Sequence, residues 1–267
     1  MNERIITVFH NGEDLSEKTS LCLTEKLRSR GYEVIDHYTE DTDLIVCIGG
    51  DGAFLRAIHR CNFPNCPIAG INTGHLGFFQ DVVPSDLDQF IDQYESGEYN
   101  LQELNTVRAI VTTADGHKHT HLGLNEITIK GQRSYSVHLS ISIGDQPIEK
   151  FSGDGLIFAT SAGSTAYNYS VGGSIADPRL NLLQVTPIAP MNTTAYRSFT
   201  SSILLPADLS LGVVPEKPKN QIYLNNDGFE TSYDNFKRIE VRVSNTSIHL
   251  VRLKGYDFWS KVKDKFL

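Results

Sequence analysis

The run Asp43-Leu-Ile-Val-Cys-Ile-Gly-Gly-Asp-Gly-Ala-Phe-Leu55 holds the densest chemistry in the chain. Glycines Gly49, Gly50 and Gly52 surround one acid, Asp51, between an apolar run and a helical pattern. Glycines in a strand-to-helix turn let backbone approach a ligand closely and aim helix N–H groups at phosphate. A carboxylate would repel that anion if cradling it were the turn's only task. It makes sense beside phosphates as the acceptor of a proton or of a sugar hydroxyl's hydrogen bond. The run points to an enzyme transferring phosphoryl groups to a hydroxyl.

Three later segments carry further polar chemistry. Gly163-Ser-Thr-Ala-Tyr167 offers hydroxyls, backbone N–H groups and an aromatic face, the groups a base and ribose require. It follows Ser152-Gly-Asp-Gly155 and precedes Ser170-Val-Gly-Gly-Ser174, and taken alone it also suits a tight turn and helix cap. Asn125-Glu126 opens a β-branched run, where an adjacent amide and carboxylate have no core role, although a solvated strand end is equally compatible. Asp227-Gly228 reads most simply as a hairpin turn. His117, His119 and His121 alternate on one face but have no acid or cysteine beside them, so a solvated hairpin is expected there rather than a metal site. No G-x-x-x-x-G-K-[ST] is present, and the turn after Ile48 lacks the G-x-G-x-x-G spacing.

The elements that must position these groups fall into two grammars. Residues 1–100 alternate strand and helix: strands Ile5–Phe9, Tyr32–Tyr38 and Pro67–Ile71, helices over Ser16–Arg30 and from a Ser85 cap to Tyr94. That alternation predicts a Rossmann-like α/β domain with a parallel sheet and ligands at the strands' carboxyl ends, where both the 49–52 turn and the Asn72–Phe79 loop belong. Residues 101–255 show alternating runs (Val107–Thr113, Glu126–Lys130, Val137–Ile143, Ile239–Val243) split by turns such as Asp115-Gly116 and Gly144-Asp145, predicting an antiparallel β-sandwich-like domain. The amphipathic end, about 256–267, is expected to return as a short helix. A net charge of −8 argues against a general nucleic-acid binder, and no apolar run suits a membrane span. No opening apolar stretch suggests a signal peptide, so the asparagine sequons at Asn168, Asn192 and Asn245 are expected to go unused. The cysteines, Cys22, Cys47, Cys61 and Cys66, lack zinc spacing, with Cys22 and Cys47 expected in the core and all four reduced in a cytoplasm.

In this order, Gly49-Gly-Asp-Gly52, Asn72-Thr-Gly-His-Leu-Gly-Phe78, Asn125-Glu126, Gly153-Asp-Gly155 and Gly163–Tyr167 resemble the NAD kinase family over nearly the whole chain. The resemblance implies phosphorylation of the 2′-hydroxyl of the adenosine ribose of NAD, giving NADP. It implies Asp51 as the base, and Gly49, Gly50 and Gly52 as the loop admitting the donor's phosphates. It further implies NAD binding by Gly52, Phe78, Asn125, Glu126, Asp154, Thr165, Ala166, Tyr167, Ser170, Ala189 and Asp227, with Asp154 facing a neighbouring subunit's site. ATP (or polyphosphate) as donor, Mg²⁺ or another divalent cation held by the donor's phosphates, and a homodimer or homotetramer are implied too. The sequence departs from the family pattern at Ala53, where Thr is usual, at Thr160-Ser-Ala-Gly163, which lacks the usual proline, and at Ser152, often arginine. Diacylglycerol-type lipid kinases share the glycine turn but not the nucleoside-suited segments at 125 and 163. A non-catalytic dinucleotide sensor is the alternative that Ala53 and Ser161 would favour.

Overall fold

The computed structural model describes residues 4–144, 146–216 and 221–267. The chain forms two compact units, residues 1–104 with 247–267, and residues 105–246.

In the first unit β1 (Ile5–His10), α1 (Asp14–Ser29), β2 (Glu33–Ile35), β3 (Thr42–Ile48), α2 (Asp51–Arg60), β4 (Ile68–Ile71) and α3 (Leu87–Ser96) follow one another. The strands lie parallel in the order β2-β1-β3-β4. Every residue of β3 except Asp43 is buried, the pattern of a central strand covered on both faces. Helix α1 buries Ser16, Thr19, Leu23 and Leu27, a three-four-four spacing that keeps one face inward. Leu23 and Leu27 are almost wholly buried. Burying each contributes roughly 1.5–3 kcal/mol, which outweighs differences of tenths in helix propensity. Cys22 lies on the opposite face and is exposed, contrary to the expected core position, while Cys47 and Cys61 are buried.

Among the element ends that depart from expectation, two have a direct physical cause. Strand β2 stops at Ile35 because only Glu33–Ile35 find partners on β1. The third helix begins at Leu87 after a 3₁₀ turn over Pro84–Asp86, and the Ser85 hydroxyl donates to Asp86 rather than capping the helix.

The second unit is an antiparallel sandwich. Its strands are β5 (Tyr99–Thr113, entering from the first unit), β6 (Lys118–Gly123), β7 (Glu126–Gly131), β8 (Val137–Ile143), β9 (Gln146–Gly153), β10 (Gly155–Ala159), β11 (Leu182–Ile188), β12 (Ile203–Pro206), β13 (Leu211–Pro215), β14 (Ile222–Asn226), β15 (Phe229–Tyr233) and β16 (Phe236–Leu253). Short helix α4 (Tyr167–Ser170) interrupts them between β10 and β11. One sheet runs β12-β11-β10-β7-β14-β15, and the other pairs β9, β8, β13 and the first part of β16. Alternate residues of both sheets, among them Ile127, Ile129, Phe158, Leu139, Val213 and Val241, share one core. Strand β8 spans the residues its alternation predicts. Asp145, in one expected turn, lies outside the described residues. His117 and His119 are exposed, but His121 is half-buried against Tyr233, with 2.6 Å between Nε2 and the phenol oxygen, so the hairpin is not wholly solvated. The final strand continues into the first unit, where Leu250 pairs with Ile68, and helix α5 (Phe258–Phe266) follows, its N-terminus capped by Asp257. Among the described residues no helix is long and apolar enough to cross a membrane.

Candidate functional site

In the first unit Asp51 occupies the first position of α2, directly after the turn that ends β3. Gly49 adopts φ +146°, and a Cβ there would meet the Ala53 methyl at 2.7 Å. That approach lets the turn bend tightly enough to leave the first N–H groups of α2 open. The Asp51 carboxylate is fixed from the second glycine loop: Phe78 N–H donates to Oδ1 at 3.0 Å, and Phe79 N–H donates to Oδ1 at 3.1 Å. Gly77 makes this closeness possible, because a Cβ there would collide with the Gln80 side chain and meet Asp51 Oδ1 at 2.5 Å. The Phe78 ring is buried, packing at 5.8 Å from Phe258 and 6.0 Å from Phe266. Its backbone, rather than its ring, reaches Asp51. Beside α2, at the ends of β1 and β3, lies a cavity of about 220 Å³ lined by His10, Asn11, Ala53, Arg56 and Arg60. Neither arginine enters an ion pair among the described residues.

In the second unit Asn125 and Glu126 meet Asp227. The Asp227 carboxylate accepts from the N–H groups of Leu124 (2.6 Å), Asn125 (2.8 Å) and Glu126 (3.1 Å). Asp227 itself sits at φ +51° and Gly228 at φ +96°, the two left-handed residues of the β14–β15 hairpin. The turn was legible in the sequence; its second task, tying down the start of β7, was not. Burial, with the Asp227 charge adding to it, pushes the Glu126 carboxyl up to about 8. Asn125 Oδ1 and Glu126 Oε2 are buried without a partner, the state expected of groups that await a polar ligand.

The 163–167 segment is held against that pair. Thr160 N–H donates to Asn125 O at 2.9 Å, and Gly163 N–H donates to Thr160 Oγ1 at 3.1 Å. A Cβ on Gly163 would collide with the Asn125 carbonyl. Ser161, where a proline is usual, has φ −62°, the value a proline ring would impose. Thr165 is buried, Ala166 and Tyr167 half-buried, and Ser170 lies exposed at the end of α4. A cavity of about 510 Å³ is lined by Lys130, Asp154, Tyr167, Ile188, Tyr223 and Glu230. The Lys130 ammonium stands 4.5 Å from the Tyr167 ring centre. Asp154 is exposed between β9 and β10, and Ala189, also exposed, takes φ +44° just beyond Ile188. Ser152 is buried at 2% exposure and its N–H donates to Ser198 Oγ, so this position faces inward.

Residues 6–99 match the ATP-NAD kinase N-terminal domain family and residues 124–253 the ATP-NAD kinase C-terminal domain family. An NAD kinase of Finegoldia magna is 38% identical over all of this chain and 99% of its own length. NAD kinase 1 of Oceanobacillus iheyensis is 33% identical over all of this chain and 98% of its own. The chain belongs to the NAD kinase family. Two solved structures share its fold. One, yeast NADH kinase complexed with NADH, has a TM-score of 0.86 at 19% identity, covering 98% of this chain and 87% of that one. The other, an NAD kinase from Archaeoglobus fulgidus in complex with ATP, has a TM-score of 0.75 at 24% identity, covering 97% and 98%.

As a member of the NAD kinase family, the chain groups its expected residues within each unit. Asp51, Gly52 and the Phe78 backbone cluster in one, and Asn125, Glu126, Asp227 and the 163–167 segment in the other. Lys130 escapes sequence reading because nothing along the strand marks a lysine that faces an aromatic ring 37 positions later. Asn168, fully buried with its amide oxygen accepting from Thr186 Oγ1 at 2.6 Å, is likewise invisible without the fold. Among the described residues no group of three His, Cys, Asp or Glu converges to hold a metal ion.

Proposed function

We propose that this protein transfers the terminal phosphoryl group of ATP to the 2′-hydroxyl of the adenosine ribose of NAD, with Asp51 accepting the hydroxyl proton. The observation that carries this reading is the Asp51 carboxylate at the head of α2, held by two loop N–H groups beside a glycine turn. Phosphoryl transfer depends mainly on positioning and charge stabilisation, so a base fixed in place beside open helix N–H groups suits it. Gly49, Gly50 and Gly52 admit the donor's phosphates to the backbone. Asn125 and Glu126 supply the unpartnered polar atoms that bind adenosine. Thr165, Ala166 and Tyr167 frame the adenine, with Phe78, Ser170, Ala189 and Asp227 completing the NAD-binding set. Asp154, exposed on its turn, serves the NAD site of a neighbouring subunit in a homodimer or homotetramer.

Mg²⁺ fits this site as a companion of the donor, because the described residues converge no carboxylate cage and the Asp51 oxygens already accept N–H groups. Bound through the phosphates and water, it would neutralise negative charge on the transferring group. The chain's own part is to hold the ribose and take its proton. Incubation with NAD, ATP and Mg²⁺, with NADH, polyphosphate and diacylglycerol arms alongside, tests the reading. NADP is the expected product, and its absence overturns the reading. Phosphorylation confined to diacylglycerol would establish the lipid-kinase alternative.

A further inference from the structure

The loop that holds Asp51 is itself held from behind by two buried cations. Arg252, at the end of β16, sends Nη1 to Phe78 O at 3.0 Å and to Asp81 Oδ1 at 2.8 Å. Its Nε donates to Gln102 Oε1 at 2.7 Å and Nη2 to the Tyr256 hydroxyl at 2.9 Å, with the guanidinium 3.7 Å from that ring's centre. Lys261, on α5, donates to Gln80 O at 2.5 Å, to Asp81 Oδ1 at 2.7 Å and to Gly77 O at 3.3 Å. These charged side chains are between 6% and 15% exposed. Backbone bonds close the base of the loop, Asn72 N–H to Val82 O at 2.7 Å and Asp81 N–H to Gly70 O at 3.3 Å, but the Gln80 amide, buried beside Gly77, has no partner at either atom among the described residues. Every carbonyl from Gly77 to Gln80 except that of Phe79 therefore leans on Arg252 or Lys261, while the N–H groups of Phe78 and Phe79 point at Asp51.

Stability alone is a poor reason for this arrangement. Two desolvated cations around one carboxylate are costly, and apolar residues of similar size commonly hold a fold as well or better. Burial pushes both cations below their ordinary values, opposed chiefly by Asp81 and also by the charge of Asp51. Two acids and two cations thus balance along the one loop that orients the base.

We propose that Arg252 and Lys261 are positioning residues for phosphoryl transfer, gripping the carbonyls of Gly77 and Phe78 so that the next N–H groups, those of Phe78 and Phe79, hold the Asp51 carboxylate in line, while the bond from Lys261 to Gln80 O anchors the end of the loop. This rests on the reading of Asp51 as the base that accepts the hydroxyl proton. Helix α5 then acts on the base through Lys261 and the 77–80 loop.

The test is Lys261→Met beside Lys261→Arg in the full-length protein, with Arg252→Lys as a second variant that keeps a buried cation but loses the planar fork. Lys261→Met is expected to lower kcat by about tenfold or more, with KM for NAD and ATP within about threefold of wild type. Lys261→Arg is expected to restore kcat to within about threefold. Circular dichroism and thermal melts establish that each variant is folded at the assay temperature; if Lys261→Met is not, the same kcat-against-KM split is read from Arg252→Lys. An unchanged kcat, or a loss matching the unfolded fraction in both lysine variants, overturns the proposal. Amide signals of ¹⁵N-phenylalanine protein, with Phe78 and Phe79 identified by their response to Asp51→Asn, report on the loop independently of turnover. They are expected to shift in Lys261→Met, and unmoved signals overturn the positioning role. Wild type that makes no NADP would remove the functional reading, while active wild type with a fully active variant would remove only this one.

Discussion

At Asp51 one side chain anchors the second glycine loop and, on the proposed reading, also takes the hydroxyl proton. Asn at this position keeps an oxygen for the Phe78 and Phe79 N–H groups but cannot take a proton. Asp51→Asn should therefore fold and bind NAD while kcat falls on the order of 10²–10⁴-fold. Steady-state kinetics with NAD binding by calorimetry checks this, and an undiminished kcat would remove Asp51 from the base role. Glu126 gives a second expectation. Its folded carboxyl titrates near 8 against 4.5 for the free group. Between those values the native state holds a proton that the unfolded chain releases, so stability falls as pH rises through the window and levels off above it. Urea unfolding at several pH values should show wild type losing on the order of a few kcal/mol relative to Glu126→Gln from about pH 5 to about pH 8. Parallel pH profiles for the two proteins would contradict a buried, protonated Glu126.

Among the elements, the turn after β10 and the start of β7 behave as one piece. Thr160 N–H bonds the Asn125 carbonyl, and Gly163 lies against the Asn125 backbone closely enough to exclude an added methyl group. Gly163→Ala should push the 163–167 segment away from Asn125, costing about 1–3 kcal/mol in stability. The same displacement should raise KM for NAD about tenfold or more while the ATP KM stays near wild type. Chemical denaturation and kinetics with each substrate varied in turn measure both effects, and an unchanged NAD KM would separate the turn from NAD binding. Glycine in Gly-Ser-Thr-Ala-Tyr was readable as a turn residue, yet the neighbour that demands it, Asn125, lies 38 positions earlier in the sequence. Ser161 was readable as a lost proline, but only its observed φ explains why the turn survives the change.

For the molecule as a whole, a net charge of −8 gives no general attraction for anionic substrates. On the proposed reading, affinity comes from local groups; Arg56 and Lys130 line cavities beside the expected residues and are candidates for it. Binding of NAD to the native state alone stabilises it by mass action, about 2.7 kcal/mol at a hundred times Kd. Scanning calorimetry with rising NAD should show a Tm that climbs with concentration in wild type and equally in Asp51→Asn. A Tm indifferent to NAD would count against the acceptor assignment.

By itself the sequence determined the fold class, because strand-helix alternation and then strict alternation each bury a different face of the chain. It also marked the glycine turn, the acid within it and the segments at 153 and 163, because unusual backbone conformations and close approaches leave glycine as their trace, and the pair at 125, because an amide beside a carboxylate has no core role at a strand's start. Only the tertiary structure decided what holds those residues. The loop N–H groups on Asp51, the three N–H groups on Asp227, and the grip of Arg252 and Lys261 on the 77–80 carbonyls join residues up to 184 positions apart. Backbone carbonyls and N–H groups are the same in every residue but proline, so no side-chain pattern records which of them a distant cation or carboxylate will meet.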